Sequence, residues 1–148
     1  MTVKEYLNQY RVARLRIARC RERLEQIAAS LDGTGGNADG MPRAGTIPKP
    51  TEANAVRLAD TRARLERMII DAELIRQQIA DEIEHVEGVP FQELLYARYV
   101  QCLDWRGVTI RVSARRGRPY DEVYVRGRMH SDALRAFQNM RDREKIQD

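Results

Sequence analysis

Apolar residues recur at alternating spacings of three and four in the first part of the chain. One series begins at Val3 and a second begins three residues later at Tyr6, and each repeats every seven residues. The two series comprise Val3, Tyr10, Ile17, Leu24 and Leu31, and Tyr6, Ala13, Cys20 and Ile27. Such a repeat places all these side chains on one stripe of an α-helix, which a partner helix must cover. Thr2 and Glu5 have the spacing of a capping box, so we expect the helix to begin there.

A second heptad series predicts that partner helix. It comprises Leu58, Leu65, Ala72, Ile79 and Val86, with Met68, Ile69, Ile75 and Ile83 beside them. Thr51 is the expected N-cap, and Gly88-Val89-Pro90 is the expected stop. The Gly- and Pro-rich segment 32–51 predicts a flexible connector. Together these patterns indicate an antiparallel two-helix coiled-coil hairpin over residues 1–88.

The last third of the chain has a different pattern. Apolar residues at helical spacing predict a helix over 91–103 and a second, short helix that includes Val108, Ile110 and Val112. A basic turn over 113–119 follows, and helical spacing returns from Tyr120 to Phe137. This order is typical of a helix-turn-helix. The predicted fold is therefore all-α, with the hairpin followed by a helix-turn-helix domain over residues 89–148.

The charge distribution also differs between the two parts of the chain, here divided after Leu95. Residues 96–148 contain 12 basic and 7 acidic side chains, whereas residues 1–95 contain 14 and 15. Basic clustering suits a polyanion such as nucleic acid, and it also occurs on solvated surfaces. Residues 1–31 are net basic and residues 52–87 net acidic, which favours their pairing. The arginine run over 11–23 therefore has two interpretations, interhelical ion pairing with a solvated face or a second DNA-contacting surface.

The candidate DNA-binding residues lie in the basic turn and around it. They are Arg111, Arg115, Arg116, Arg118, Tyr120, Glu122, Tyr124, Arg126 and Arg128. We expect the turn arginines to contact phosphates or enter a groove, because guanidinium forks match phosphate oxygens and guanine edges. The residues from Tyr120 onward are candidates for base readout. The alternative for the arginine turn is a disordered, solvated loop.

The sequence has no motif for a nucleotide-binding, metal-binding or catalytic site. The sequence contains no Walker-type loop, dinucleotide fingerprint or zinc motif. His130-Ser131-Asp132 cannot form a catalytic triad, since adjacent helical residues point about 100° apart. We expect a packing role for Trp105, with ligand stacking as the alternative. The sequence thus predicts no enzyme, no cofactor and no metal site.

The cysteines and the hydropathy of the sequence indicate the cellular compartment in which the protein is expected. Cys20 and Cys102 fit no metal-ligand spacing, so we expect unpaired thiols. Neither a membrane span nor a signal peptide is visible in the sequence, so a cytoplasmic location is expected, without membrane contact.

Short motifs across the chain resemble a known family. The C-terminal ones are Leu94-Leu95-Tyr96-Ala97-Arg98-Tyr99, Asp104-Trp105 with Val108, and His130-Ser131-Asp132-Ala133-Leu134. These resemble sigma-factor region 4 in the form found in small phage and prophage proteins, some related in plan to late transcription activators. Two N-terminal stretches are similar as well, Val3-Lys4-Glu5-Tyr6-Leu7-Asn8-Gln9 and Met41-Pro42-Arg43.

The resemblance implies a sequence-specific regulator of transcription. Such a protein would bind double-stranded DNA at promoters in the host nucleoid and contact RNA polymerase. Independently of the resemblance, a thin hairpin with a single apolar seam predicts a dimer formed through the hairpin. The chain departs from the family at 113–129, where 115–119 looks like an insertion and Gly127 interrupts the last helix, so the register of the recognition helix stays open. Two other interpretations are a small-terminase-like DNA packaging protein and a coiled-coil adaptor that does not bind DNA.

Overall fold

The computed structural model describes residues 1–32 and 49–147, and the side chains of 1–31 and 52–147. The helices are α1 (Val3–Leu7), α2 (Gln9–Asp32), α3 (Lys49–Glu84), α4 (Val89–Leu95), α5 (Trp105–Arg116), α6 (Glu122–Tyr124) and α7 (His130–Gln147). Two π-helical turns, Tyr96–Val100 and Val125–Met129, follow α4 and α6. No strand occurs in the described ranges. The prediction of an all-α fold is confirmed.

The first helix begins as the capping box predicts. The Thr2 hydroxyl accepts a hydrogen bond from the Glu5 N–H at 3.2 Å, and the Glu5 carboxylate accepts one from the Thr2 N–H at 2.6 Å. Asn8 separates α1 from α2, so the predicted single helix is divided there. Every residue of the two apolar series is buried or half-buried, whereas Val12 and Leu15, outside them, are 43% and 63% exposed. Burial in α1 and α2 therefore follows the predicted stripe.

Helix α3 starts earlier than predicted. It begins at Lys49, so Thr51 lies in its first turn rather than at the N-cap. Most residues of the second apolar series are buried or half-buried; Ile69 is the exception, at 39% exposed. The predicted connector over 32–51 falls mainly on residues 33–48, which lie outside the described residues.

The chain divides into two compact units. The helix-pair unit comprises residues 13–71, and the core unit comprises residues 1–12 and 72–148. Leu7, Ile79 and Val86 lie in the same apolar cluster as Val108 and Phe137. The division therefore differs from the predicted boundary between residues 88 and 89, because α1 and the end of α3 supply part of the core.

Within the helix-pair unit, α2 and α3 run in opposite directions. Ile27, near the end of α2, lines a groove with Asn54, near the start of α3. Arg16, earlier in α2, lines another groove with Met68, later in α3. Ile17 and Ile27 are each 8% exposed, because the facing helix covers the α2 stripe.

A polar cluster joins three helices of the core unit. The Tyr6 hydroxyl of α1 donates a hydrogen bond to the Glu82 carboxylate of α3. Arg141 of α7 contacts Glu82 at 3.2 Å, and its guanidinium lies 3.9 Å from the centroid of the Tyr6 ring. Burial and the adjacent Glu82 carboxylate raise the pKa of Tyr6 to about 12. The phenol is therefore protonated and can act as the donor at neutral pH.

Candidate nucleic-acid interface

The residues at the two ends of helix α5 determine where it begins and where it ends. The Asp104 carboxylate accepts a hydrogen bond from the Gly107 N–H at 2.8 Å, as an N-cap does. Gly117 ends the helix in the left-handed conformation at φ 78°, with its N–H bonded to the Ser113 carbonyl at 3.0 Å. The predicted basic turn over 113–119 was therefore placed too early, because no residue before Gly117 stops the helix.

A short turn connects α5 to the next helix. The Tyr120 N–H donates to the Ser113 hydroxyl at 2.9 Å, and Asp121 caps α6 by accepting from the Val123 N–H at 3.3 Å. From Glu122 the helix passes through the π-helical turn Val125–Met129 and continues as α7 to Gln147. Gly127 lies inside this turn, so the prediction that it interrupts the helix was wrong. In a π-helical turn each backbone hydrogen bond spans five residues instead of four, and the helix continues through the turn.

The predicted DNA-binding residues surround this junction. Arg111, Arg115 and Arg116 lie on α5, and Arg118 and Tyr120 lie in the turn. The later residues, Glu122, Tyr124, Arg126 and Arg128, lie on α6 and the π-helical turn. All are exposed apart from Tyr120, which is half-buried. The fold thus distributes these side chains over two consecutive helices and the turn that joins them.

Three of these side chains contact one another. The Arg116 guanidinium lies 4.1 Å from the centroid of the Tyr120 ring. The Tyr120 and Tyr124 rings stack with centroids 6.0 Å apart and an interplanar angle of 12°. A cation over an aromatic ring is attracted by about 0.5–1 kcal/mol at an exposed site. The Arg116 guanidinium is thus held against the Tyr120 ring.

The arginines at the junction differ in how far their charge is neutralised. Arg115 lies 3.4 Å from the Glu93 carboxylate of α4, and Arg128 lies 4.0 Å from Asp132. The others make no ion pair with any residue that the structure describes; they are Arg111, Arg116, Arg118 and Arg126. These cations carry the uncompensated positive charge of the surface.

Two further arginines, Arg11 and Arg98, are half-buried. Burial lowers the pKa of Arg98, with additional repulsion from Arg11 and Arg126. The Arg98 guanidinium donates to the Leu103 carbonyl at 3.0 Å and lies 4.5 Å from the Trp105 ring centroid. Nη1 of Arg11 is buried with no hydrogen-bond partner among the described residues. The sequence did not place Arg98 or Arg11 beside the candidate DNA-binding residues, because no spacing along the chain relates either of them to Arg126.

His130 and Trp105 belong to the packing beneath this surface. Nε2 of His130 lies 2.6 Å from the Tyr99 hydroxyl, and its ring meets the Trp105 ring edge-on with centroids 4.7 Å apart. His130 is only 7% exposed. Burial, with smaller contributions from Lys4 and Arg98, lowers the pKa of His130 to about 4. The imidazole is therefore neutral at physiological pH and adds no charge to the surface.

Residues 1–32 and 49–147 contain no group of three or more His, Cys, Asp or Glu side chains arranged to hold a metal ion. Cys20 and Cys102 are both free thiols, as predicted. Among the described helices none is long and apolar enough to cross a membrane.

Known proteins provide no direct comparison for this arrangement. The chain matched no protein-family model, no curated protein sequence and no solved structure.

Proposed function

We propose that the protein is a regulator of transcription that binds double-stranded DNA. Its helix-turn-helix would consist of α5, the turn at 117–121 and the helix that begins at Glu122. The observation that carries this proposal is a set of exposed arginines on both sides of that turn that have no ion pair with any described residue: Arg111, Arg116, Arg118 and Arg126. Duplex DNA presents a dense row of phosphates, which is the counter-charge that such a surface lacks.

Each part of the surface has its own expected role. In a helix-turn-helix the first residues of the second helix contact base edges in the major groove. Here those residues are Glu122, Tyr124, Arg126 and Arg128, and all are exposed. Arg111, Arg116 and Arg118 would contact backbone phosphates. Arg115 would contribute less, since the Glu93 carboxylate already compensates its charge.

Action at promoters rests on the resemblance to sigma-factor region 4. A protein of that type, of phage or prophage origin, would work in the host nucleoid and contact RNA polymerase beside the promoter. The hairpin formed by α1, α2 and α3 would join two chains into a dimer. Such a dimer would cover exposed apolar side chains of the helix-pair unit, of which Leu15, Val56 and Ile70 are each about 60% exposed.

A genome-wide footprint of bound DNA tests the regulatory role. We expect bound sites to share a sequence motif and to lie upstream of transcribed genes. The Arg116→Gln/Arg118→Gln variant should lose these sites, whereas Arg62→Gln/Arg67→Gln, with the same charge removed from the helix-pair unit, should keep them. Bound DNA with no common motif, or bound sites confined to one end of a viral genome, would overturn regulation at promoters. The latter result would indicate packaging.

A further inference from the structure

A second basic surface lies within the helix-pair unit. Four arginines line one groove between α2 and α3, namely Arg16, Arg19, Arg23 and Arg64. Its other lining residues are Cys20, Thr61 and Met68, so no carboxylate faces it. None of the four arginines has an ion pair within the described part of the chain. The groove therefore concentrates positive charge with no internal counter-charge.

The acidic residues of α3 do not neutralise this groove. The net charges of residues 1–31 and 52–87 favoured their pairing. In the structure, Glu82 of α3 pairs with Arg141 of α7 at 3.2 Å, and Glu87, which follows α3, pairs with Arg143 of α7 at 2.7 Å. Four like charges repel one another in the free protein, and an anion in the groove would relieve that repulsion.

The spacing of the arginines indicates what kind of anion fits. Arg16, Arg19 and Arg23 follow one another at intervals of three and four residues, so they lie on one face of α2. At a rise of ~1.5 Å per residue they span roughly 10 Å along the helix. One strand of duplex DNA advances about 3.4 Å along the axis per phosphate, so a row of this length faces several neighbouring phosphates rather than a single one.

The groove is also large enough to hold phosphate groups. Its volume is about 280 Å³, close to the lower end of the range of about 300–1,000 Å³ that ligand pockets usually have. Guanidinium groups are well matched to such ligands because their N–H donors bind phosphate oxygens in pairs.

We infer that this groove binds closely spaced phosphate groups, from a polyphosphate or from the sugar-phosphate backbone of a nucleic acid. The site is separate from the surface around Arg116 and shares no residue with it. The inference does not depend on the proposed regulatory function.

Cys20 supplies a reporter inside the groove. The sequence has two cysteines, so a Cys102→Ser background leaves Cys20 as the single thiol. Its reaction with the dianionic disulfide dithiobis(nitrobenzoic acid) can be followed at constant ionic strength while tripolyphosphate is added. We expect saturable protection of the thiol. Arg19→Gln/Arg64→Gln should raise the half-protecting concentration about tenfold or more, as expected for the loss of charged hydrogen bonds.

The matched control removes two arginines from the same helices outside the groove. Arg21 and Arg62 are exposed, and neither lines the groove. Arg21→Gln/Arg62→Gln should leave the half-protecting concentration unchanged. The four substituted positions are exposed, so the variants should keep the helical content of the parent, which circular dichroism checks.

A second probe identifies the source of the phosphates. Protection by a short DNA duplex, lost in Arg19→Gln/Arg64→Gln and kept in Arg116→Gln/Arg118→Gln, would assign the groove to a nucleic-acid backbone. Protection by tripolyphosphate alone would assign it to a free polyphosphate. The inference is overturned if neither probe protects Cys20, or if the groove and control variants respond alike. Loss of DNA binding in Arg116→Gln/Arg118→Gln would leave the groove result unaffected, so the two proposals fail separately.

Discussion

At the scale of single residues, His130 shows how burial determines the charge state of a side chain. It is held between the Tyr99 hydroxyl and the Trp105 ring, and burial lowers its pKa to about 4. An unfolded chain has a histidine pKa near 6.5, so the unfolded state takes up the proton first as the pH falls. The stability that neutral His130 contributes is therefore complete above about pH 6.5 and is lost between pH 6.5 and 4.

This linkage can be measured by urea unfolding. At about 1.4 kcal/mol per pKa unit, the loss attributable to His130 between these pH values is of the order of 3 kcal/mol. His130→Asn keeps a polar side chain at the Tyr99 hydroxyl and removes the titration. We expect this variant to be less stable at pH 7.5 and to depend less on pH from 6.5 to 4.5. An equal pH dependence in both proteins would contradict the account of His130.

Gly127 is a second residue for which a substitution has a specific expected effect. It lies on the exposed side of the π-helical turn, and a Cβ built there meets nothing within 4 Å. Side-chain packing within the protein therefore does not require a glycine at this position. A ligand that approached the backbone closely between Arg126 and Arg128 would require one. Gly127→Ala should stabilise the fold by roughly 0.5–1 kcal/mol, through helix propensity, and should weaken duplex binding. Thermal melting and a duplex titration test the two effects together. A stabilised variant that binds DNA as tightly as the parent would exclude contact at this position.

At the scale of helices, heptad spacing predicted much of the burial. The residues of the two heptad series that start at Val3 and Tyr6 are buried or half-buried along α1 and α2. The capping box of Thr2 and Glu5 marks the start of α1. The extent of α5 was predicted less well. An arginine cluster resembles a polar turn in composition, yet arginine is a good helix former, and the backbone turns only at Gly117.

Other features of the fold have no local signal in the sequence. The π-helical turns at 96–100 and 125–129 depend on how these segments pack, and no residue type marks them. The placement of Arg98 against Trp105 and the ion pair between Arg115 and Glu93 arise from tertiary contacts. The sequence therefore predicted which residues are basic and exposed, but not which of them are already paired.

The end of α3 gives a test of the core at this scale. Ile79 is 1% exposed and belongs to the apolar cluster of the core unit, whereas Leu74 on the same helix is 60% exposed. Ile79→Ala should lower the free energy of unfolding by about 2–5 kcal/mol, because it leaves a cavity among close-packed side chains. Leu74→Ala is the matched control and should change it by less than about 0.5 kcal/mol. Similar urea midpoints for the two variants would contradict the assignment of α3 to this core.

At the scale of the whole molecule, the chain consists of the helix-pair unit and the core unit, and the candidate DNA-binding surface belongs to the core unit. The helix-pair unit has one apolar stripe, which the facing helix covers, and further apolar side chains outside it. We expect these to join two copies of the chain in solution. Sedimentation equilibrium should give a dimer, and Val56→Glu/Ile70→Glu should dissociate it, since a charge buried without a partner is costly. A wild-type chain that stays monomeric at high concentration would contradict the dimer, and a ring of many subunits would favour a packaging role.

The central claim is that the arginines around the turn at 117–121 bind DNA phosphates, and the salt dependence of duplex binding tests it most directly. Fluorescence anisotropy with a labelled duplex gives the slope of log Kd against log salt for the wild type, for Arg116→Gln/Arg118→Gln and for Arg62→Gln/Arg67→Gln. Each lost phosphate contact reduces the slope by about 0.9, so the first variant should lose about 1.8 and the second should lose nothing. The claim would be contradicted by a wild-type protein that binds no duplex at micromolar concentration and low salt. Equal slopes for all three proteins would contradict it as well.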